Sequence, residues 1–87
     1  MNLSAMKNRF FYVRYCSGLS ARAMSKLFDM SQPYWGMIER DTTPGLKTVR
    51  TVSKKLGIPL IWLLEGEGEK PTPEHIEATI KQLIKAA

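Results

Sequence analysis

The side chains that most often carry catalysis are present in this chain but isolated. Cys16 stands alone, so it forms no intrachain disulfide, and no Cys/His cluster has metal-ligand spacing. His75 falls near an expected helix start with no partner for acid–base work, and no base is placed to activate a serine or threonine. Gly66-Glu67-Gly68-Glu69 is rich in glycine, but its carboxylates would repel a phosphate. No enzyme, metal or cofactor is therefore expected. The chemistry that remains is that of cations. Residues 1–64 hold ten Lys/Arg against Asp29, Glu39 and Asp41, a balance of +7, whereas residues 65–87 hold three Lys against five Glu, a balance of −2. A small domain with that surplus attracts polyanions.

Hydrophobic spacing assigns the elements that position those cations. Leu3, Met6, Phe10 and Val13 recur at three and four residues and predict a helix over residues 4–17, ended by Gly18. Ser20 caps a second helix over about 20–28, with Met24, Leu27 and Phe28 inward, and Asp29-Met30 makes the turn. Ser31 is suited to cap a third helix that reaches Arg40, with Pro33 in its first turn and Trp35 and Ile38 inward. After the loop Asp41–Gly45, Leu46, Val49, Val52 and Leu56 form a fourth helix closed by Gly57, and Pro59 opens a fifth, Leu60 to Leu64. Gly66 to Pro71 reads as a polar linker. Thr72-Pro73-Glu74 then starts a last helix striped by Ile76, Ile80, Leu83 and Ile84. No strand pattern appears, so the chain is expected to be all-α. No apolar run approaches the ~20 residues of a membrane span. Lys7 and Arg9 interrupt the N-terminal segment before a signal peptide can develop. With one unpaired cysteine, these features point to the cytoplasm. Two short helices about a tight turn, in a chain this basic, are the usual way of offering a helix end to the DNA major groove.

Gly18-Leu19-Ser20, Ile38-Glu39-Arg40, Pro44, Leu56-Gly57-Ile58 and Trp62-Leu63-Leu64-Glu65-Gly66 stand at the spacings of a known family. Over about residues 7–66 the chain resembles the lambda-repressor-like helix-turn-helix proteins: phage repressors, Cro proteins and many small bacterial regulators. The resemblance implies a five-helix DNA-binding domain over residues 1–66, to which residues 67–87 add a linker and an amphipathic helix. It implies a cytoplasmic, nucleoid-associated homodimer that binds double-stranded DNA at two half-sites and regulates transcription by occluding an operator. It also pairs an arginine late in helix 1 with a glutamate near the end of helix 3. Arg14 and Glu39 occupy those places, as a partly buried fork that would fix the angle of helix 3. The chain departs from the family at Ala21, where glutamine is common, and at Asp29, where the turn usually has glycine; Ser25 keeps the small residue that close helix packing needs.

On this reading the outward positions of helix 3 are the base readers. Gln32 can contact adenine through both amide atoms, Pro33 and Met37 can touch a thymine methyl, Gly36 lets the backbone approach, and Arg40 can reach a guanine or a phosphate. That is a sparse set, so shape and methyl contacts would carry much of any preference. The expected phosphate anchors are Ser20, Arg22, Lys26, Ser31, Tyr34, Thr42, Thr43 and Lys47, with the backbone N–H groups that open helices 2 and 4. Ile61 and Trp62 exceed what a five-helix core needs. With Ile76, Ile80, Leu83 and Ile84 they are expected to form a two-fold interface holding two recognition helices ~34 Å apart. The other reading of that stripe is a tail folded onto its own domain. Phe11 and Tyr15, off the main stripe of helix 1, pose the same choice between covering the tail and meeting a partner. The rival function is a protein-interaction module, for example an antitoxin whose tail holds a protein partner, on the same fold with weak or lost DNA binding.

Overall fold

Six helices and no strand make up residues 2–86, the part that the computed structural model describes: α1 (Met6–Ser17), α2 (Ala21–Leu27), α3 (Tyr34–Glu39), α4 (Leu46–Leu56), α5 (Leu60–Glu65) and α6 (Pro73–Ala86). The starts and stops are mostly local chemistry. Ser20 caps α2 by accepting from the Ala23 N–H at 3.1 Å, and Thr72 caps α6 by accepting from the His75 N–H at 3.1 Å. Neither α2 nor α3 ends on glycine. Asp29 and Asp41 follow them with φ of 56° and 91°. In each case the two residues past the helix return N–H bonds to its last turn: Asp29 to Lys26 and Met30 to Ser25, then Asp41 to Ile38 and Thr42 to Met37. Aspartate tolerates this left-handed geometry better than most residues.

Trp35 lies at the centre of the core, with Phe10 tilted against it at 5.0 Å and Phe28 stacked on its other side at 5.6 Å. Its indole Nε1 is buried without a hydrogen-bond partner, so the residue serves by area and not by its N–H. Met24, Ile38, Val49, Val52, Leu56 and Leu63 close around it. Leu46, expected on the inward stripe of α4, is 53% exposed. It is the first residue of that helix and shares an outer face with Arg50 and Lys54, four and eight residues on.

The tail does not extend from the domain. α6 packs on α1 and α4 and buries Ile76 and Ile80 completely in the shared core. The radius of gyration is 11.6 Å, that of a closed globule of this length (about 12 Å). Trp62 is buried as well, edge-on to Tyr12 at 5.9 Å. Trp62, Ile76 and Ile80 were expected at a two-fold interface; they are spent inside one chain, because α1 offers α6 an apolar face that the helix spacing alone does not assign. Leu83 is half-buried, and Ile61 and Ile84 remain about half exposed.

The segment joining α5 to α6 is also tied down, unlike the free linker its composition implies. Tyr12 donates its phenol to the Pro71 carbonyl at 2.9 Å, and Lys70 lies over the Tyr12 ring, 5.1 Å from its centre. Burial pushes the Tyr12 phenol up from 10.0 to about 12, with smaller contributions from Cys16 and Glu74. The fold thus favours the neutral phenol. Its contribution is complete below the ordinary value of 10.0 and is lost progressively as pH rises toward about 12. The thermal midpoint should therefore fall across that window, and Tyr12→Phe should flatten the fall while costing about 1 kcal/mol at neutral pH for the lost hydrogen bond. A Tyr12 phenol found by phenolate absorbance, as the difference between wild type and Tyr12→Phe, to titrate at the ordinary 10.0 would count against this account.

Candidate nucleic-acid interface

With six residues, α3 is too short to hold its shape alone. Two residues outside it fix its ends. Ser25, buried on α2, accepts from the Trp35 N–H at 2.9 Å and so satisfies the first turn of α3 from across the helix pair. Ser31 was expected to do this locally, but α3 begins later, at Tyr34 with Pro33 as its cap residue, and Ser31 contributes only its carbonyl to a turn with the Tyr34 N–H. At the other end, Arg14 grips Glu39 with two prongs, Nε to Oε2 at 2.7 Å and Nη2 to Oε1 at 3.0 Å. The guanidinium also lies over the Phe11 ring at 5.0 Å, and the bond to Glu39 raises it further above its ordinary value, so it stays charged. A forked pair of this kind resists rotation as well as translation.

The outward side of α2 and α3 forms an open groove lined by Ala21, Arg22, Gln32, Pro33, Gly36 and Arg40. With the Gln32 amide turned so that its oxygen faces Arg22, the guanidinium donates to it from Nε at 2.6 Å and Nη2 at 2.5 Å. Arg22 therefore orients Gln32. Arg40 folds back along α3: its Nη1 comes within 3.4 Å of where a Cβ on Gly36 would stand. Gly36 thus makes room for an arginine as well as for any ligand. Met37 is exposed beside this groove.

A second concavity, lined by Phe28, Asp29, Met30, Ser31, Tyr34, Lys47, Thr48 and Thr51, joins the start of α3 to the start of α4 and has the Asp29 carboxylate at its edge. Thr42 and Thr43 do not join either groove. They line a separate recess with Met6 and Lys7, next to the Lys7–Asp41 pair at 3.6 Å. Lys26 stands one turn beyond Arg22 and borders an apolar groove made by Leu19, Ala23, Leu27, Leu83 and Ile84. Ser20 is occupied as a helix cap.

Among the described residues, Arg22, Lys26, Arg40, Lys47, Arg50 and Lys54 have no carboxylate within 4.0 Å, whereas Lys7, Arg14, Lys55 and Lys81 do. These six cations lie on α2, at the end of α3 and on α4, whereas Arg9, Lys70 and Lys85, which also lack an ion pair among the described residues, lie elsewhere; the acidic residues 65–77 belong to the α5–α6 part of the chain. No helix among the described residues is long and apolar enough to cross a membrane, and none of their His, Cys, Asp or Glu side chains form a metal-binding group. No protein-family model, curated protein or solved structure matches the chain.

Four residues have roles that the sequence left unread. Arg9 is buried and holds three backbone carbonyls. His75 is not free: its Nε2 faces the Leu56 and Gly57 carbonyls at 2.9 and 3.1 Å, so that nitrogen carries the proton and closes the end of α4. Arg50 and Lys54 extend the cations of α4 past Lys47. Their four-residue spacing, opposite the Val49–Val52–Leu56 stripe, was the available signal.

Proposed function

We propose that the protein is a helix-turn-helix DNA-binding regulator of the lambda-repressor-like kind, with α2 and α3 as the motif and α3 as the reading helix. The observation that carries this is the groove in which Arg22, Gln32, Gly36 and Arg40 meet on an open face free of carboxylates. Arg22 would bind a phosphate while holding Gln32 toward a base edge, and Met37 and Pro33 would supply methyl contacts. Dimerisation on two half-sites would have to use the apolar residues still exposed, Ile61 on α5 and Ile84 with Leu83 on α6.

Titration of a random-sequence duplex at two salt concentrations tests this reading. About 4–6 neutralised phosphates per dimer give a slope of log affinity on log salt near −4 to −5. On a selected site, Gln32→Ala should lose about 1–3 kcal/mol of preference over random duplex, and Lys26→Ala should weaken both equally. Absence of binding at low salt with micromolar protein would refute the proposal. It would favour instead a protein-interaction module, whose natural seat is the apolar groove of Leu19, Ala23, Leu27, Leu83 and Ile84.

A further inference from the structure

The outer face of α4 is a cationic track that no other part of the fold uses. Lys47, Arg50 and Lys54 fall at three- and four-residue spacing on one side of the helix, opposite buried Val49, Val52 and Leu56. All three are exposed, and none has a carboxylate of the described residues within 4.0 Å. Like charges at these spacings weaken a helix. No ion pair among the described residues compensates, and the nearby hydroxyl of Thr51 is turned to the Lys47 carbonyl at 2.9 Å. The track is also continuous with the reading helix. Lys47 and Thr51 line the concavity that holds Ser31 and Tyr34 at the start of α3, and the same two residues line the shallow groove along Arg50 and Lys54. From Lys47 to Lys54 the helix rises about 10 Å, at 1.5 Å per residue. DNA rises 3.4 Å per base pair along its axis, so this length, laid along that axis, spans about three base-pair steps.

We propose that Arg50 and Lys54, continuing from Lys47, hold the sugar-phosphate backbone of duplex DNA on the flank of the sequence that α3 reads. This inference rests on the DNA-binding reading above and deepens it. The partner is a duplex backbone because the track begins at the reading helix, where one rod-like polyanion can engage both surfaces, and because point cations in a row match evenly spaced phosphates. The contact positions the protein and widens its footprint without reading bases.

The experiment compares the wild-type chain with R50A/K54A on a short duplex limited to the read sequence and on a longer duplex with random flanks. K81A/K85A, which removes equal charge from α6, is the control. The wild type should bind the longer duplex more tightly. R50A/K54A should lose about tenfold in affinity for it at physiological salt, with a distinctly shallower salt slope. Its preference between selected and random central sequences should be unchanged, and K81A/K85A should behave as wild type. Thermal melting of R50A/K54A at or above the wild-type midpoint confirms that folding is intact. If the wild type binds and R50A/K54A matches it in affinity and slope, the track is overturned while the DNA-binding reading stands. A double variant that loses sequence preference as well overturns the flank assignment. A wild type that binds no duplex, yet is retained by polyglutamate through these three residues, overturns both in favour of an acidic polypeptide partner.

Discussion

Ile76→Ala should lower the free energy of unfolding by about 2–5 kcal/mol, with Ile80→Ala in the same range. Both side chains are buried in the core shared by α6 and α1, so truncation removes burial and leaves a cavity between two helices. A domain of this size commonly has only about 5–15 kcal/mol of stability, so the double variant should be largely unfolded at 37 °C. The informative detail is the dependence on protein concentration. If these residues filled a two-fold interface, their loss would shift a monomer–dimer equilibrium, and the melting point would move with concentration. Here the loss belongs to one chain, so the shift in midpoint should be the same at micromolar and at hundreds of micromolar protein. Urea denaturation at two concentrations measures it, and a concentration-dependent loss would return Ile76 and Ile80 to an interface. For the same reason, removal of α6 should not release a folded monomer; it should expose the apolar side of α1 and produce aggregation.

Arg9→Met should cost about 2–4 kcal/mol, comparable to a core truncation despite the similar volume of the two side chains. Arg9 is 2% exposed and has no carboxylate of the described residues within 4.0 Å. Its guanidinium donates from Nε to the Leu63 carbonyl at 3.0 Å, from Nη1 to Leu3 at 2.7 Å and from Nη2 to Leu64 at 3.0 Å. Leu63 and Leu64 lie in the last turn of α5, where carbonyls lack helical partners and the helix end is negative. Burial pulls the guanidinium below its ordinary value, and Glu65 acts against that pull; an arginine nevertheless remains protonated at any pH where the protein folds. Methionine leaves the three acceptors without their donor, the Leu63 carbonyl in a buried setting. Arg9→Lys keeps the charge but lacks the planar fork, and should recover only part of the loss. Gly66 belongs to the same device. Its φ is 78°, and a Cβ there would stand 2.8 Å from Arg9 Nη1, so Gly66→Ala strains the backbone and displaces the clamp together. An Arg9→Met variant within 0.5 kcal/mol of wild type in urea denaturation would mean that the carbonyls find other partners.

The Arg14–Glu39 fork was legible because the resemblance supplied a pair of positions and the two residue types fitted them. Asp29 was legible as a turn residue for a local reason, since few side chains other than glycine accept its φ. Arg9 was not, because its partners are carbonyls, and every residue in the chain has one. His75 was missed in the same way. The apparent vacancy around it in the sequence is filled by the end of α4, which is nineteen residues away in the chain at Leu56. Ser25 was read as a space-saving residue, yet its hydroxyl caps a helix to which it does not belong.

The order of residues along the chain was enough to determine the number of helices, their near boundaries, most of their inward positions (Leu46 and Trp62 being exceptions) and the asymmetry of charge. All of these depend on interactions within a few residues or on simple sums. Which apolar faces meet was decided only when the helices packed. Spacing marks a stripe as water-avoiding but says nothing of what covers it, so the stripe of α6 read equally as interface or core until α1 was seen to cover it. The same holds for the proposed binding face. Arg22, Gln32, Gly36 and Arg40 are spread over nineteen positions, and the closeness of α2 to α3, bridged by Ser25 while the Arg14–Glu39 fork ties α3 to α1, is what gathers them into one groove.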